Sequence, residues 1–268
     1  MTQYKTIILE INKEEQFATI YLNRPNRLNT LNTQLAEDFL STIKIISNDN
    51  QIRSLIITGR GEAFCAGGDL IEFGQSTNPD FLYNLATTFH KAIRIMREMD
   101  APIIAAINGI CYGVGMSIAC ISDIRLCLDK AKFGVAFTSV GLSPDSSLTF
   151  FLPKIVGLPL ANEMALINRV LNANEAKTHH LVSQIYTSSE ELVEGSQNLA
   201  RKISSGPTIA LGSTKKLFVS SFAHNLRDHL DEELANLRKN SHSPDFREGV
   251  NAFVEKRKPN FKGNSGKN

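Results

Sequence analysis

Two short runs with no charged residue and an apolar centre each break into a glycine turn, and this limits the possible folds more than any other feature of the chain. Residues 54–58 (SLIIT) stop at Gly59-Arg60-Gly61, and residues 102–107 (PIIAAI) stop at Asn108-Gly109. Neither run alternates apolar with polar, so each reads as a strand covered on both faces, as in a parallel sheet flanked by helices. Helical patterns fill the gaps. A helix starting near Thr33 carries Leu35, Phe39, Ile43 and Ile46 on one stripe, and a second over 80–99 carries Phe81, Leu85, Phe89, Ile93 and Met96. Residues 7–11 and 17–22 read as a hairpin across the polar turn 12–16. A short helix over 114–120 and strands at 124–128 and 132–133 continue the alternation, which predicts an α/β core.

From about Ser146 the character changes to helices separated by Pro and Gly, at 146–155, 159–167, 190–204, 208–222, 226–240 and 245–256. Gly206-Pro207 is the expected hinge, dividing a core of residues 1–205 from a helical segment of 206–268. That segment is too small to stand alone, and its stripe of Leu226, Leu230, Leu234 and Leu237 predicts packing on the core or on another subunit.

Composition removes several functional classes. With 29 basic and 27 acidic residues among 268, the net charge of +2 leaves no broad footprint for nucleic acid or a membrane surface. The apolar run at 102–107 is far short of the roughly 20 residues a membrane span needs. The first residues, MTQYKTIILEINKEE, lack a leader's apolar core, so a cytoplasmic protein is expected. Cys65, Cys111, Cys120 and Cys127 form no CxxC pair and sit among small or apolar residues, so they read as core hydrophobes in a reducing compartment. No metal ligands are spaced around them, and neither a metal nor a separate cofactor is expected. Lys256, Arg257, Lys258, Lys262 and Lys267 make a basic end, which is either solvated or an anion site.

Three stretches could carry chemistry. Ala63-Phe64-Cys65-Ala66-Gly67-Gly68-Asp69-Leu70 and Asn108-Gly109-Ile110-Cys111-Tyr112-Gly113-Val114-Gly115 each follow a buried strand. Small residues there let the backbone approach a ligand and leave N–H groups unpaired. Two such turns aimed at one spot would make an oxyanion hole; either alone is usually only a turn. The third stretch, 133–145, ends in Asp145 just before a helical pattern. Asp145 is either an N-cap or a base held against Phe137, Leu142 and Leu148, where desolvation would raise its pKa.

Taken together, six ordered blocks resemble the crotonase (enoyl-CoA hydratase/isomerase) superfamily over nearly the whole chain. They are Arg24-Pro25 with Asn29-Thr30-Leu31-Asn32, FCAGGDL at 64–70, PIIAAINGICYGVGMSIA at 102–119, SDIRL at 122–126, AKFGVAF with VGLSPD at 131–145, and LPKIVG at 152–157. EGVNAFVEKRKPNFKG at 248–263 fits the family's C-terminal helix and tail. The resemblance implies a spiral of ββα units with a C-terminal helical trimerisation segment, assembled as a homotrimer or a dimer of trimers. It implies an acyl-CoA thioester as substrate, with coenzyme A part of that substrate.

The resemblance also assigns residues. The backbone N–H groups of Gly68 and Val114 become the oxyanion donors. The loop containing Ala63, Phe64, Ala66, Gly67, Asp69 and Leu70 would cradle the CoA moiety, with Phe137 beside the substrate. Arg24 or Arg27, with Lys256 or Arg257, would meet the CoA phosphates. Hydratases of the family use two glutamates, whose positions here hold Ser117 and Phe137. That leaves Asp145 as acid/base and favours an isomerase moving a double bond from 3-enoyl-CoA to 2-enoyl-CoA. The alternatives are a hydratase with a non-standard acid, a non-catalytic acyl-CoA-binding relative, and an aryl-CoA dehalogenase using Asp145 as nucleophile. The last would match His90 but lacks the expected tryptophan, since the chain has none. Phe73, Phe81, Leu82 and Phe89 are candidates for an acyl pocket.

Overall fold

The computed structural model describes residues 2–263. Strands β1 (Thr2–Gln3), β2 (Ile7–Asn12) and β3 (Phe17–Leu22) run antiparallel at one side of the larger sheet. β4 (Ser54–Gly59) joins β3 in parallel, across the helix α1 (Thr33–Asn48). The chain then enters a second sheet through β5 (Ala63–Cys65), passes helices α2 (Leu70–Gln75) and α3 (Phe81–Glu98), and returns to the first sheet as β6 (Ile103–Ile107). The same step repeats through β7 (Ile110–Tyr112), α4 (Val114–Ile121), β8 (Ile124–Leu128) and β9 (Lys132–Gly134). Each turn thus lays one strand in each sheet and follows it with helix. The result is a spiral of ββα units.

Helices α5 (Leu148–Val156) and α6 (Leu158–Leu166) lead to β10 (Leu171–Asn172), α7 (Ala173–Thr178) and β11 (Gln184–Tyr186). The larger sheet has the order β1-β2-β3-β4-β6-β8-β11 and the smaller β10-β9-β7-β5. Four helices complete the chain: α8 (Ser189–Ser204), α9 (Thr208–Ser220), α10 (Leu226–Ser241) and α11 (Pro244–Val254).

The apolar runs are explained by burial on both faces. Leu55, Ile57, Ile103, Ala105 and Cys127 join the main core between the sheets, where Phe39 of α1 meets Phe89 of α3 with ring centroids 5.3 Å apart. Ile56, Ile104, Ala106 and Leu126 point the other way and are covered by Leu192 and Ala200 of α8. All four cysteines are buried, and desolvation pushes the Cys65, Cys120 and Cys127 thiols up to about 12 and Cys111 well above its ordinary value. They are core residues, as expected.

The segment after Gly206 is tied to the core by polar contacts. Arg53 donates to Thr208 Oγ1 at 2.8 Å, to Phe261 O at 3.0 Å and to the Gly206 carbonyl. Lys215 of α9 is buried beneath the sheet, donating to Ala101 O at 3.0 Å and lying 3.2 Å from Asp123, which also binds Arg97 at 2.8 Å. Helix α10 buries none of its residues against this chain, and Leu226, Leu230, Leu234 and Leu237 are exposed on it.

The structure departs from the sequence reading mainly in the smaller sheet. β5 and β7 lie inside the stretches read as glycine turns, and α2, α7, β10 and β11 were not anticipated. Helix α5 begins at Leu148 with Ser147 as its N-cap residue, so Asp145 is not the cap. No described helix is long and apolar enough to cross a membrane.

Candidate active site

The two glycine stretches meet because adjacent turns of the spiral pair them: β5 and β7 run in parallel, with Ala63 opposite Ile110 and Cys65 opposite Cys111. Beyond the paired strands the loops touch at Gly67 and Gly113. Both have positive φ, 112° and 54°, and a Cβ on Gly113 would lie 3.1 Å from Gly67 Cα. Two residues further, a Cβ on Gly115 would stand 2.2 Å from the Cys65 carbonyl oxygen. Only glycine permits this approach of backbones.

That contact orients two N–H groups. Gly68 sits in a parallel bridge with Leu31, in which Leu31 N–H donates to Gly67 O at 2.8 Å and Asp69 N–H to Leu31 O at 2.9 Å. Successive residues of an extended strand turn their polar groups to opposite edges, so the Gly68 N–H faces away from Leu31. Val114 is the first residue of α4, where an N–H has no partner within the helix. Both residues line one cleft of about 390 Å³. The positive end of α4 therefore opens onto the same space as Gly68.

The opposite side of the cleft is the 136–146 loop, which contributes Ala136, Phe137, Val140, Leu142, Asp145 and Ser146. Asp145 is the one carboxylate among the lining residues. Its backbone carbonyl accepts from Leu148 N–H at 3.0 Å and from Ser117 Oγ at 3.2 Å. Ser117 is fully buried in α4, three residues past Val114. Ser146 and Ser147 then both take left-handed backbone, with φ of 52° and 70°. Such conformations cost non-glycine residues energy and persist where surrounding structure holds them. Here they turn the chain sharply between Asp145 and α5.

The remaining walls are apolar. Leu31, Leu70 and Phe73 come from the Gly68 side, and Leu82, Tyr83, Leu85 and Ala86 from α3. The Phe73 ring lies so close over Gly68 that a Cβ there would fall 2.5 Å from it. Of the four expected acyl-pocket residues, Phe73 and Leu82 line the cleft. Phe81 packs edge-on against Phe73 with centroids 5.9 Å apart, and Phe89 belongs to the core.

Several expected binding residues lie elsewhere. Ala63 and Phe64 are buried in β5, and the Ala63 carbonyl accepts from Asn29 at 2.8 Å and from Asn108 at 3.3 Å. Asp69 turns away from the cleft, capping α2 through Glu72 N–H and pairing with Arg24 at 2.7 Å. Burial alone would raise the Asp69 pKa, but the Arg24 guanidinium and the α2 backbone outweigh it and hold the carboxylate below its ordinary range. Arg24 bonds Asp69 and the Thr30 carbonyl, which fixes the loop. Ala66, Gly67 and Leu70 do line the cleft. Arg27 and Lys256 are exposed, while Arg257 pairs with Glu248 at 2.6 Å and with Glu255 at 2.5 Å. Lys267 lies outside the described residues. His90 does not line the cleft, and its Nε2 is buried with no hydrogen-bond partner among the described residues.

The sequence reading looked for metal ligands around the cysteines. Among the described residues the fold instead gathers His224, His229 and Glu232, remote in sequence from every cleft residue.

The match to known proteins agrees with this geometry. The sequence model of the family described as enoyl-CoA hydratase/isomerase covers residues 12–264. The chain is 34% identical to the 1,2-epoxyphenylacetyl-CoA isomerase of Escherichia coli (strain K12) over 253 residues, 93% of this chain and 96% of that one. It is 30% identical to a 4-chlorobenzoyl coenzyme A dehalogenase of an Arthrobacter species, over 92% of this chain and 91% of that one. The crystal structure of an enoyl-CoA hydratase from Bacillus anthracis superposes with a TM-score of 0.90 at 29% identity, covering 97% of this chain and 100% of that one. Three chemistries are thus named on one fold. With matching sequence blocks, the same spiral and a cleft bordered by two glycine-loop N–H groups, the chain belongs to the enoyl-CoA hydratase/isomerase family.

Proposed function

We propose that the chain moves a carbon–carbon double bond in an acyl-CoA thioester, from 3-enoyl to 2-enoyl, with Asp145 as the single acid/base. One observation carries the reading: among the described residues, Asp145 is the only carboxylate lining a cleft that both Gly68 and Val114 border. The positions that hold glutamates in hydratases of the family hold Ser117 and Phe137 here, and neither can activate water. The Asp145 carboxylate takes a proton from C2, and negative charge moves to the thioester oxygen. The Gly68 and Val114 N–H groups stabilise that enolate oxygen. The carboxylic acid then returns the proton at C4, which leaves the double bond conjugated with the carbonyl.

The apolar walls from Phe73, Leu82 and Leu85 suit an acyl chain, and the exposed Arg27 and Lys256 are the proposed partners of the CoA phosphates. The leucine stripe of α10 supports a homotrimer or dimer of trimers built on residues 206–268, with residues 1–205 as the catalytic core. A dehalogenase reading gains nothing from the cleft, since His90 is outside it and the chain has no tryptophan.

The test is incubation with 3-hexenoyl-CoA while following the ultraviolet absorbance of the conjugated 2-enoyl thioester. Conjugation by the wild type and its loss by about 10²–10⁴-fold in Asp145→Asn is the expected result. Binding of CoA esters without conjugation would remove the simple isomerase reading and direct attention to ring-derived thioesters. Equal rates in both proteins would remove Asp145 as the base.

A further inference from the structure

Outside the cleft, the turn between α9 and α10 brings three ligand-type atoms together. His224 lies in that turn; His229 and Glu232 follow on α10 at a spacing of three, which puts them on one helix face. His224 Nδ1 stands 3.2 Å from Glu232 Oε2, and His229 Nδ1 stands 3.8 Å from the same oxygen. The three ligand atoms all lie within 4.8 Å of one another.

Ordinary hydrogen bonding does not account for this convergence. His229 Nδ1 and Glu232 Oε2 are both screened from solvent, and neither has a hydrogen-bond partner among the described residues. Leaving two such atoms unpaired costs free energy unless something else satisfies them. Their spacing is that of a coordination shell. With zinc bonds of about 2.0–2.1 Å to nitrogen and oxygen, tetrahedral ligands stand roughly 3.3 Å apart. The edge from His224 to Glu232, 3.2 Å, falls at that value, and the edge from His229, 3.8 Å, is about half an ångström wider.

A second feature points the same way. The other ring nitrogen of His229, Nε2, faces Glu233 Oε1 at 3.5 Å. A carboxylate behind a ligating imidazole fixes its tautomer and orientation, and is the usual companion of a metal-bound histidine. Two imidazoles and a carboxylate suit zinc or a neighbouring divalent transition ion, rather than magnesium or calcium.

We infer that His224, His229 and Glu232 form a zinc-class divalent metal site that clasps the α9–α10 turn, with Glu233 positioning His229. The site is separate from the reaction cleft, and its role is to fix the start of α10. It stands or falls independently of the double-bond chemistry.

Untagged full-length protein, stripped with EDTA, is titrated with zinc chloride by calorimetry, and its thermal unfolding is followed with and without the metal. The expected result is one zinc per chain and an unfolding midpoint that rises with zinc. Affinity should fall at least tenfold in His229→Ala and about tenfold in Glu233→Gln. His224→Ala, in an exposed turn where folding is not at stake, should weaken binding too. No saturable zinc uptake at micromolar metal would overturn the site, as would affinity unchanged in both histidine variants.

Discussion

Ser117 Oγ donates a hydrogen bond to the backbone carbonyl of Asp145 at 3.2 Å, across from α4 to the loop before α5. Ser117 thus holds the loop bearing the proposed base. A net hydrogen bond contributes about 1 kcal/mol, so Ser117→Ala should lower kcat/KM on 3-hexenoyl-CoA about fivefold. Steady-state kinetics will show it. An unchanged rate would mean the loop holds Asp145 unaided.

The proposed Val114 donor can be removed by a single substitution. Proline is tolerated at the first position of a helix, where its missing N–H has no intrahelical role. Val114→Pro should therefore leave α4 folded, as circular dichroism can verify. Turnover should fall by roughly 10²–10³-fold, the loss typical of one oxyanion donor. A fall of only a few-fold would move the second donor elsewhere.

The contact between the two glycine loops should be equally sensitive in stability. A methyl on Gly115 would meet the Cys65 carbonyl oxygen at 2.2 Å, a backbone atom that cannot rotate away. Overpacking of this kind costs about 1–3 kcal/mol. For a chain of this size Gly115→Ala should lower the thermal midpoint by roughly 2–12 °C. An unaltered midpoint would show that β5 and β7 can part without cost.

Lys215 and Asp123 give a pH dependence of the same sign in two separate windows, because both folded-state pKa values are lowered. Burial lowers the Lys215 pKa from 10.5 to about 8, despite the attraction of Asp123. Between about pH 8 and 10.5 the folded chain has released this proton while the unfolded chain keeps it, so stability rises with pH in that window. For Asp123, burial alone would raise the pKa, but Lys215 and Arg97 outweigh it and hold the carboxylate below 3.8. Its contribution is present above that value and lost as pH falls through the lowered pKa. Denaturant unfolding at pH 8 and pH 10 should shift the difference between wild type and Lys215→Met in favour of wild type at the higher pH. A shift in the opposite direction would contradict the burial argument.

What could be read from the residues divides along physical lines. The main sheet was legible because strands such as Ile103–Ile107 are buried on both faces and carry unbroken apolar runs. The smaller sheet was not, because Ala63–Cys65 and Ile110–Tyr112 are three residues long, too short to show a period, and their sequence is dominated by the glycines beside them. Asp145 stood out as a carboxylate among apolar residues, yet its spacing from a helical pattern suggested a cap that Ser147 occupies instead. Leu82 was legible as an acyl-pocket candidate, but Tyr83 and Ala86, which line the cleft from α3 beside it, are indistinguishable on the sequence from other residues of an amphipathic helix. The pairing of Arg24 with Asp69 was not legible, because nothing local reveals a partner 45 positions later.

The pairing of β5 with β7 has a consequence for how such a protein diversifies. Gly68 and Val114 each lie three residues past a paired position, Cys65 and Cys111, of two neighbouring parallel strands, whose lateral repeat in a sheet is about 4.8 Å. Two donors at that pitch can converge on a single oxygen, whatever side chains surround them. On the proposed reading, the charge-stabilising half of the site is inherited with the backbone, while the proton-handling half hangs on a loop from a later turn of the coil. Mutation can exchange the second without touching the first, so new reactions are reached by editing one loop rather than rebuilding a centre.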